Sequence, residues 1–280
     1  MGLPMARNLL AAGHELVPVD SNPDRVALLG VPAAATPAEA TESAAVALLS
    51  LPSPAVVEEV VLGDRGLRTT AAEGFTVVDM STSPPALARR LATQLAEFGL
   101  ECLDAPVSGG PHGAENASLT IMVGGTKAAF AAQRSLLEAL GSLVVHVGGA
   151  GAGQAAKLCN NLVAGATMAA LAEACALAGR EGLDPAVLYD LLTRSTGDSR
   201  VLRTRFPIAG VSREHPASRG YEPLFALDLM AKDLDLALEL ARAHDVDAPV
   251  GRASRERYRE AQERGLGRLD YSAVYTSRVP

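Results

Sequence analysis

The feature that most constrains this chain is a change of pattern near Gly148. Up to that point short apolar runs alternate with helix-like stretches, and beyond it no convincing strand occurs. AAVALLSLP (44–52) reads as a buried strand ending at Leu51-Pro52, followed by a helical stretch from Pro54 to Leu62. FTVVDM (75–80) is a second strand, followed by an amphipathic helix, ALARRLATQLAEFG (86–99). LECLDAPV, LTIMVGG and LVVHVGG are three more strand-like runs, with a helix from Lys127 to Leu140 between the last two. Repeated βα units joined by short turns predict a mainly parallel sheet covered by helices. From Gly153 to Gly182 the sequence reads as one long Ala-rich helix, and the remainder as further helices interrupted by a loop-rich stretch, Phe206 to Pro223. The boundary is therefore expected close to residue 149. An α/β domain would occupy 1–149 and an all-helical domain 150–280, with the long helix as connector.

A chain of 280 residues is long enough for two such domains. With 48% hydrophobic and 20% charged residues it forms a substantial core and does not read as disordered. Aromatics are 4% and Trp is absent, so the core is built from Ala, Leu and Val. The formal charge of -7 disfavours sequence-independent nucleic-acid binding. Cys102, Cys159 and Cys175 form no CxxC pair and read as reduced thiols of a cytoplasmic protein. The five histidines (His14, His112, His146, His215, His244) show no metal-ligand spacing, so no metal is expected. MGLPMARNLL does not resemble a secretory signal. The apolar run from Leu162 to Gly179 is interrupted by Glu173 and rich in small residues, which suits a buried helix better than a membrane span.

The start of the chain carries half of a recognisable unit. Residues 3–12 read as a helix, with Pro4 in its first turn, Gly13 after its end, and Leu3, Ala6, Leu9 and Leu10 on one face. A strand is expected over Glu15 to Val19, ending in Asp20. A dinucleotide-binding unit needs a glycine-rich turn before its first helix and an acid about 20 residues on for the adenine ribose. Asp20 lies 18 residues after Gly2, which would be the third glycine of such a turn. Two readings stay open here: a dinucleotide-binding unit short of its first strand, or an unrelated N-terminal helix.

Three further motifs carry chemistry. In DAPVSGG, from Asp104 to Gly110, paired glycines after Ser108 let backbone N–H groups approach an anion, and the Ser108 hydroxyl adds a donor. The plainer reading is a strand-ending turn. In GGAGAGQAAKLCNN, Lys157 and Asn161 are four apart and share a helix face. A lysine turned inward there would be desolvated, lowering its pKa toward the range of a general base. The alternative is a surface lysine. FALDLMAKDLDLALELA (225–241) carries Lys232 on an apolar helical pattern.

Together these motifs resemble the β-hydroxyacid dehydrogenase family over essentially the whole chain. MGLPMARNLLAAGHEL, LSLPSP, VVDMSTSPP, DAPVSGG, LTIMVGG, GAGQAAKLCNN and LMAKDLDLA occur in order. Within the family, the segment FPIAGVSREHPASRGYEPLFALDLMAKDL and the ending LDYSAV are similar to the branch that acts on 3-hydroxyisobutyrate. The resemblance implies an α/β Rossmann-type parallel-sheet domain, here short of its first strand and most of its Gly-rich turn. An all-α dimerising domain would follow, with the active site in the cleft between the two. It implies Lys157 as the catalytic lysine, Asn161 as its partner, and Ser108, Gly109 and Gly110 as the hold on the substrate carboxylate. Gly2, Asp20, Leu51, Pro52 and Thr82 would serve the cofactor, and Lys232 would reach cofactor or substrate from the helical domain. Asp20 favours NAD, since a carboxylate there repels the 2′-phosphate of NADP.

The implied reaction is oxidation of 3-hydroxyisobutyrate to methylmalonate semialdehyde, a step of valine catabolism. A tartronate-semialdehyde or glyoxylate type of reaction is the alternative, and a chain short of its first strand could be a non-catalytic remnant. Imine reductases on this scaffold lack a lysine at the position of Lys157. Expected partners are a small hydroxy acid and further copies of the chain, as homodimer or homotetramer, with neither nucleic acid nor membrane. One departure from the family is Ala117-Ser118, where Gly-Thr is usual before the next strand.

Overall fold

The computed structural model describes residues 1–277 and separates into two compact units, one from Met1 to Lys157 and one from Leu158 onward. The first unit opens on α1 (Gly2–Ala11) and two short helices, α2 (Pro23–Ala27) and α3 (Pro37–Ala40). It continues through β1 (Val46–Leu49), α4 (Pro54–Leu62), β2 (Thr76–Asp79), α5 (Pro85–Ala96), β3 (Glu101–Asp104) and β4 (Val107–Ser108). Next come α6 (Gly110–Glu115), β5 (Thr120–Gly124), α7 (Lys127–Glu138) and β6 (Leu143–Gly148). Local signals set most helix starts. Ser53 accepts from Val56 N–H ahead of α4, and Thr126 accepts from Ala129 N–H ahead of α7, each satisfying a donor that the helix leaves open.

β1 pairs β2 and β2 pairs β3 in parallel, and β6 runs parallel to β5, but β5 is antiparallel to β3 and β4. The sheet is therefore mixed. After β3 the chain does not cross over. It runs through Ala105-Pro106 into β4 and doubles back through α6. Asp104 faces Gly124, Val107 faces Ile121 and Ser108 faces Thr120 in one register, so β3 and β4 are a single edge interrupted at Pro106. Pro106 has no N–H to give a ladder.

The expected strand over residues 15–19 does not form. A strand exists through its ladder, and among the described residues no strand lies beside this segment. Its backbone is held by Ala34 N–H donating to Pro18 O (3.2 Å), while Leu16 packs against the core.

The central strands β2 and β3 are buried on both faces, as expected where helices cover a parallel array, while β6 leaves Leu143, Val145 and Val147 exposed along one side. Val78, Leu103, Ile121 and Val123 face Met5 and Leu9 of α1 and Leu137 of α7. Val77 and Cys102 face Val57 and Val61 of α4 and Leu91 and Leu95 of α5. Adjacent residues of β2 thus serve opposite layers. Each such side chain contributes about 1.5–3 kcal/mol on burial.

A long helix, α8 (Ala152–Arg180), starts in the first unit and supplies the first element of the second. Then follow α9 (Pro185–Thr193), α10 (Arg200–Arg205), α11 (Leu227–Ala243) and α12 (Pro249–Glu263). The row Met168, Leu171, Ala172 and Cys175 of α8 packs with Leu202, Phe206, Met230, Leu234 and Tyr258. Tyr258 is fully buried, and its hydroxyl donates to Gly165 O (3.1 Å). The loop-rich stretch before α11 is fixed by Tyr221, whose hydroxyl donates to Pro207 O (2.7 Å). It is fixed further by Asp270, fully buried, whose carboxylate accepts from Leu224 and Phe225 N–H (3.1 Å each).

Candidate active site

α8 begins without a local cap, because Gly148-Gly149-Ala150-Gly151 offers no side-chain acceptor. The cap comes from β3. Asp104 accepts from Gly151 N–H (2.7 Å) through Oδ1 and from Gln154 N–H (2.8 Å) through Oδ2. Two of the donors exposed at the helix start are thereby satisfied by one buried carboxylate, at the end where the helix dipole favours negative charge. The approach is close enough to need glycine. A Cβ on Gly153 would overlap the carbonyl oxygens of Asp104 and Met122, and one on Gly124 would reach the Asp104 carboxylate.

Asp104 has a like-charged neighbour. Asp79 is its register partner on β2, so the two carboxyls stand side by side at the strand ends, each 2% exposed. Burial, aided by Asp104, pushes Asp79 up to about 6, although Ser81 N–H (2.9 Å) and the Ser83 hydroxyl (3.4 Å) donate to it. Burial also raises Asp104, against the pull of the α8 N–H groups. Gln154 joins the loop after β2 to the helix. Its Nε2 donates to Ser81 O (2.9 Å) and its Oε1 accepts from Ser83 N–H (3.0 Å). The Ser81 hydroxyl in turn accepts from Leu51 N–H (2.9 Å). The first unit therefore brings together Leu51, the loop containing Thr82, and the helix turn before Lys157. Lys157 itself is buried, at 6% exposure.

Ser108, Gly109 and Gly110 continue from Asp104 along the same edge. Gly109 and Gly110 turn with φ of +135° and +64°, conformations open to glycine. A Cβ on Gly109 would press on Leu119 (3.1 Å). The loop is anchored to α1, since Asn8 Nδ2 donates to Ala114 O (2.6 Å).

The cofactor candidates sit where a parallel sheet binds a dinucleotide, at strand carboxyl ends and a helix N-terminus. Leu51 and Pro52 follow β1, and Thr82 follows β2. Gly2 opens α1 without a side-chain cap, and a Cβ there would lie 3.7 Å from Ser50, so this helix start abuts the end of β1. Asp20 is exposed and accepts from Asn22 N–H (2.8 Å), which leaves carboxylate lone pairs for ribose hydroxyls. Uncapped N–H groups for phosphate and an acceptor-only acid for ribose suit NAD.

In the second unit, Asn161 (4% exposed) donates through Nδ2 to Asp233 Oδ2 (2.6 Å), and Lys232 Nζ lies 3.1 Å from Asp233 Oδ1. Asn161 and Lys232, two of the residues singled out from sequence, are thus joined through a third. Sequence reasoning passed over Asp233, Asp79 and Gln154 as site residues. All three stand inside quoted motifs, and the signal available was the oddity of a charged or amide side chain on an apolar pattern.

Comparison with known proteins places the chain in a family. Residues 1–148 match the NAD binding domain of 6-phosphogluconate dehydrogenase, and residues 151–277 match the NAD-binding domain of NADP-dependent 3-hydroxyisobutyrate dehydrogenase. The chain is 41% identical to a 3-hydroxyisobutyrate dehydrogenase of Pseudomonas aeruginosa, covering 98% of this chain and 94% of that one. It is also 41% identical to the NAD-dependent L-serine dehydrogenase of the same organism, covering 98% and 93%. The solved structure of Mycobacterium tuberculosis 3-hydroxyisobutyrate dehydrogenase with L-serine superposes with a TM-score of 0.92 at 35% identity, covering 100% of this chain and 96% of the other. Imine reductase from Myxococcus stipitatus shares the fold at 21% identity and a TM-score of 0.65. The chain belongs to the β-hydroxyacid dehydrogenase family, as an NAD-dependent oxidoreductase similar to 3-hydroxyisobutyrate dehydrogenases.

Proposed function

We propose that the chain oxidises 3-hydroxyisobutyrate to methylmalonate semialdehyde. The observation that carries this reading is the placement of Lys157. It is buried one turn beyond the start of α8, and that start is clamped by the strand that runs on into Ser108-Gly109-Gly110. The substrate carboxylate lies against Ser108, Gly109 and Gly110, where a hydroxyl and glycine backbone supply donors. Lys157 enters neutral and takes the proton of the substrate hydroxyl on Nζ. Asn161, oriented by Asp233, hydrogen-bonds that hydroxyl or the lysine. Bound NAD supplies the hydride acceptor, held by the α1 start, Asp20, Leu51, Pro52 and Thr82. In the reverse direction Lys157 returns the proton to the carbonyl oxygen.

General-base catalysis contributes roughly a hundred- to ten-thousand-fold. Lys157→Ala therefore lowers kcat by at least about a hundredfold while NAD titration, followed by calorimetry, gives an unchanged Kd. Near-normal turnover in that variant removes Lys157 from the role.

A second substrate has support of its own. A relative named as an L-serine dehydrogenase matches as well as the one named for 3-hydroxyisobutyrate. The two acids share a carboxylate and a β-hydroxyl and differ at the α-carbon, methyl against ammonium. Initial rates with 3-hydroxyisobutyrate, L-serine, 3-hydroxypropionate and tartronate separate them. The expected order puts 3-hydroxyisobutyrate first in kcat/KM, and a higher value for L-serine reverses the assignment. The same reading makes the protein a cytoplasmic homodimer or homotetramer. It is supported by Val163, Leu177, Val187 and Leu191, large apolar side chains 60–67% exposed on α8 and α9. Light scattering after gel filtration checks the subunit number.

A further inference from the structure

We propose that Asp104 and Gln154 are positioning residues for the reaction, holding Lys157 in register with the substrate loop and with the loop that carries Thr82. The proposal rests on the reading of Lys157 as the proton acceptor. Three backbone segments converge on these two side chains. Asp104 ends β3, four residues before Ser108 on the same interrupted edge. Its carboxylate takes the Gly151 and Gln154 N–H groups (2.7 and 2.8 Å) that open α8. The Gln154 amide then grips both sides of Thr82, through Ser81 O (2.9 Å) and Ser83 N–H (3.0 Å). Lys157 lies three residues beyond Gln154, so any shift of the helix start moves its Nζ.

The form of the cap argues for precision rather than stability alone. α4, α7, α9 and α10 are capped by the residue just before them, Ser53, Thr126, Asp184 and Ser199, each bonding N–H groups of its own first turn. That arrangement needs no buried charge. α8 instead draws its cap from a carboxylate 47 and 50 residues away in sequence, 2% exposed and beside a second carboxylate. Burying adjacent carboxyls is costly. What it provides in return is a fixed joint between sheet and helix, at the turn that leads to Lys157. Gln154 is fully buried and uses both ends of its amide, which fixes its orientation as well as its place.

The test uses the full chain and whichever of 3-hydroxyisobutyrate and L-serine turns over faster. Asp104→Asn keeps the shape but turns an NH2 toward one of the helix N–H groups. Gln154→Met keeps the volume and the backbone cap but releases Ser81 and Ser83. Each is made alone and combined with Lys157→Ala, and each is checked for folding by circular dichroism and for NAD Kd by titration. A displacement of a catalytic group by about 1 Å can cost up to about a hundredfold. Each single variant is accordingly expected to lose about tenfold or more in kcat, with NAD Kd and substrate KM within about twofold.

Because the effect passes through Lys157, the double variants should turn over no more slowly than Lys157→Ala alone. Single variants with normal kcat, or double variants showing the product of both losses, overturn the proposal. If Asp104→Asn fails to fold, Gln154→Met, which alters no charge, decides by the same two criteria. Normal turnover in Lys157→Ala itself is a different result, since it removes the underlying reading and the proposal falls with it.

Discussion

Ala117 holds a backbone conformation that its side chain disfavours, with φ of +49° in the turn before β5. The left-handed region costs an L-residue roughly 1–2 kcal/mol, and glycine avoids that cost while losing about 0.4–1 kcal/mol to chain entropy. Ala117→Gly is therefore expected to stabilise the protein by about 0.5–1 kcal/mol, read as a raised denaturation midpoint, and an unchanged or lowered midpoint contradicts it. Asp233 presents the opposite case, a polar group that nothing local replaces. Replacing it by Ala leaves the Asn161 amide buried without its acceptor, at an expected cost of about 2–3 kcal/mol in urea unfolding. At this scale Lys157 and Asn161 were legible because their spacing of four is a local signal. Asp79 and Gln154 were not, since Gln154 bonds Ser83 across 71 residues of sequence and periodicity carries no information at that range.

The elements were legible where their reasons are local. The stretch opening at Pro54 marked α4, and apolar runs bounded by Gly or Pro marked β1, β2 and β5. Strand direction was not legible, because it depends on whether the chain crosses over or doubles back after Pro106, and both leave the same apolar run for β5. The segment over 15–19 has the composition of a strand and lacks the neighbour that would make it one. The start of α8 shows how close packing constrains an element. Gly153 lies against the carbonyl groups of β3 and β5, so Gly153→Ala must push the helix off the sheet. Overpacking of this kind costs about 1–3 kcal/mol. The expected result is a lowered melting temperature with a fall in kcat, whereas Gly149→Ala, where a Cβ meets nothing within 4 Å, should leave both unchanged.

For the molecule as a whole, the division into an α/β and a helical part was visible as a change in pattern, because a stop in strand signals is a long-range property that composition does record. What the pattern could not show is how pH acts on the assembled sheet. Exposed carboxylates paired with arginine, such as Glu58 with Arg90 and Glu256 with Arg259, are held below their ordinary range. Stability from them is present above the unfolded pKa and fades as the solution turns acid. Asp79 acts in the other direction. Its folded value of about 6 lies above the ordinary 3.8, so between these values the folded chain keeps a proton that the unfolded chain has released. Stability then falls as pH rises through that window and stays reduced above it, by about 3 kcal/mol at 1.36 kcal/mol per unit. Asp79→Asn removes this ionisation and keeps the local bonding, since the amide oxygen still accepts from Ser81 N–H and the Ser83 hydroxyl is able to accept from its NH2. It also spares Asp104 a like-charged neighbour. The variant should therefore match the parent near pH 3 and exceed it in urea midpoints by a margin that grows between pH 4 and pH 6 and then levels off. A constant gap between the two curves would show that Asp79 does not titrate in this range.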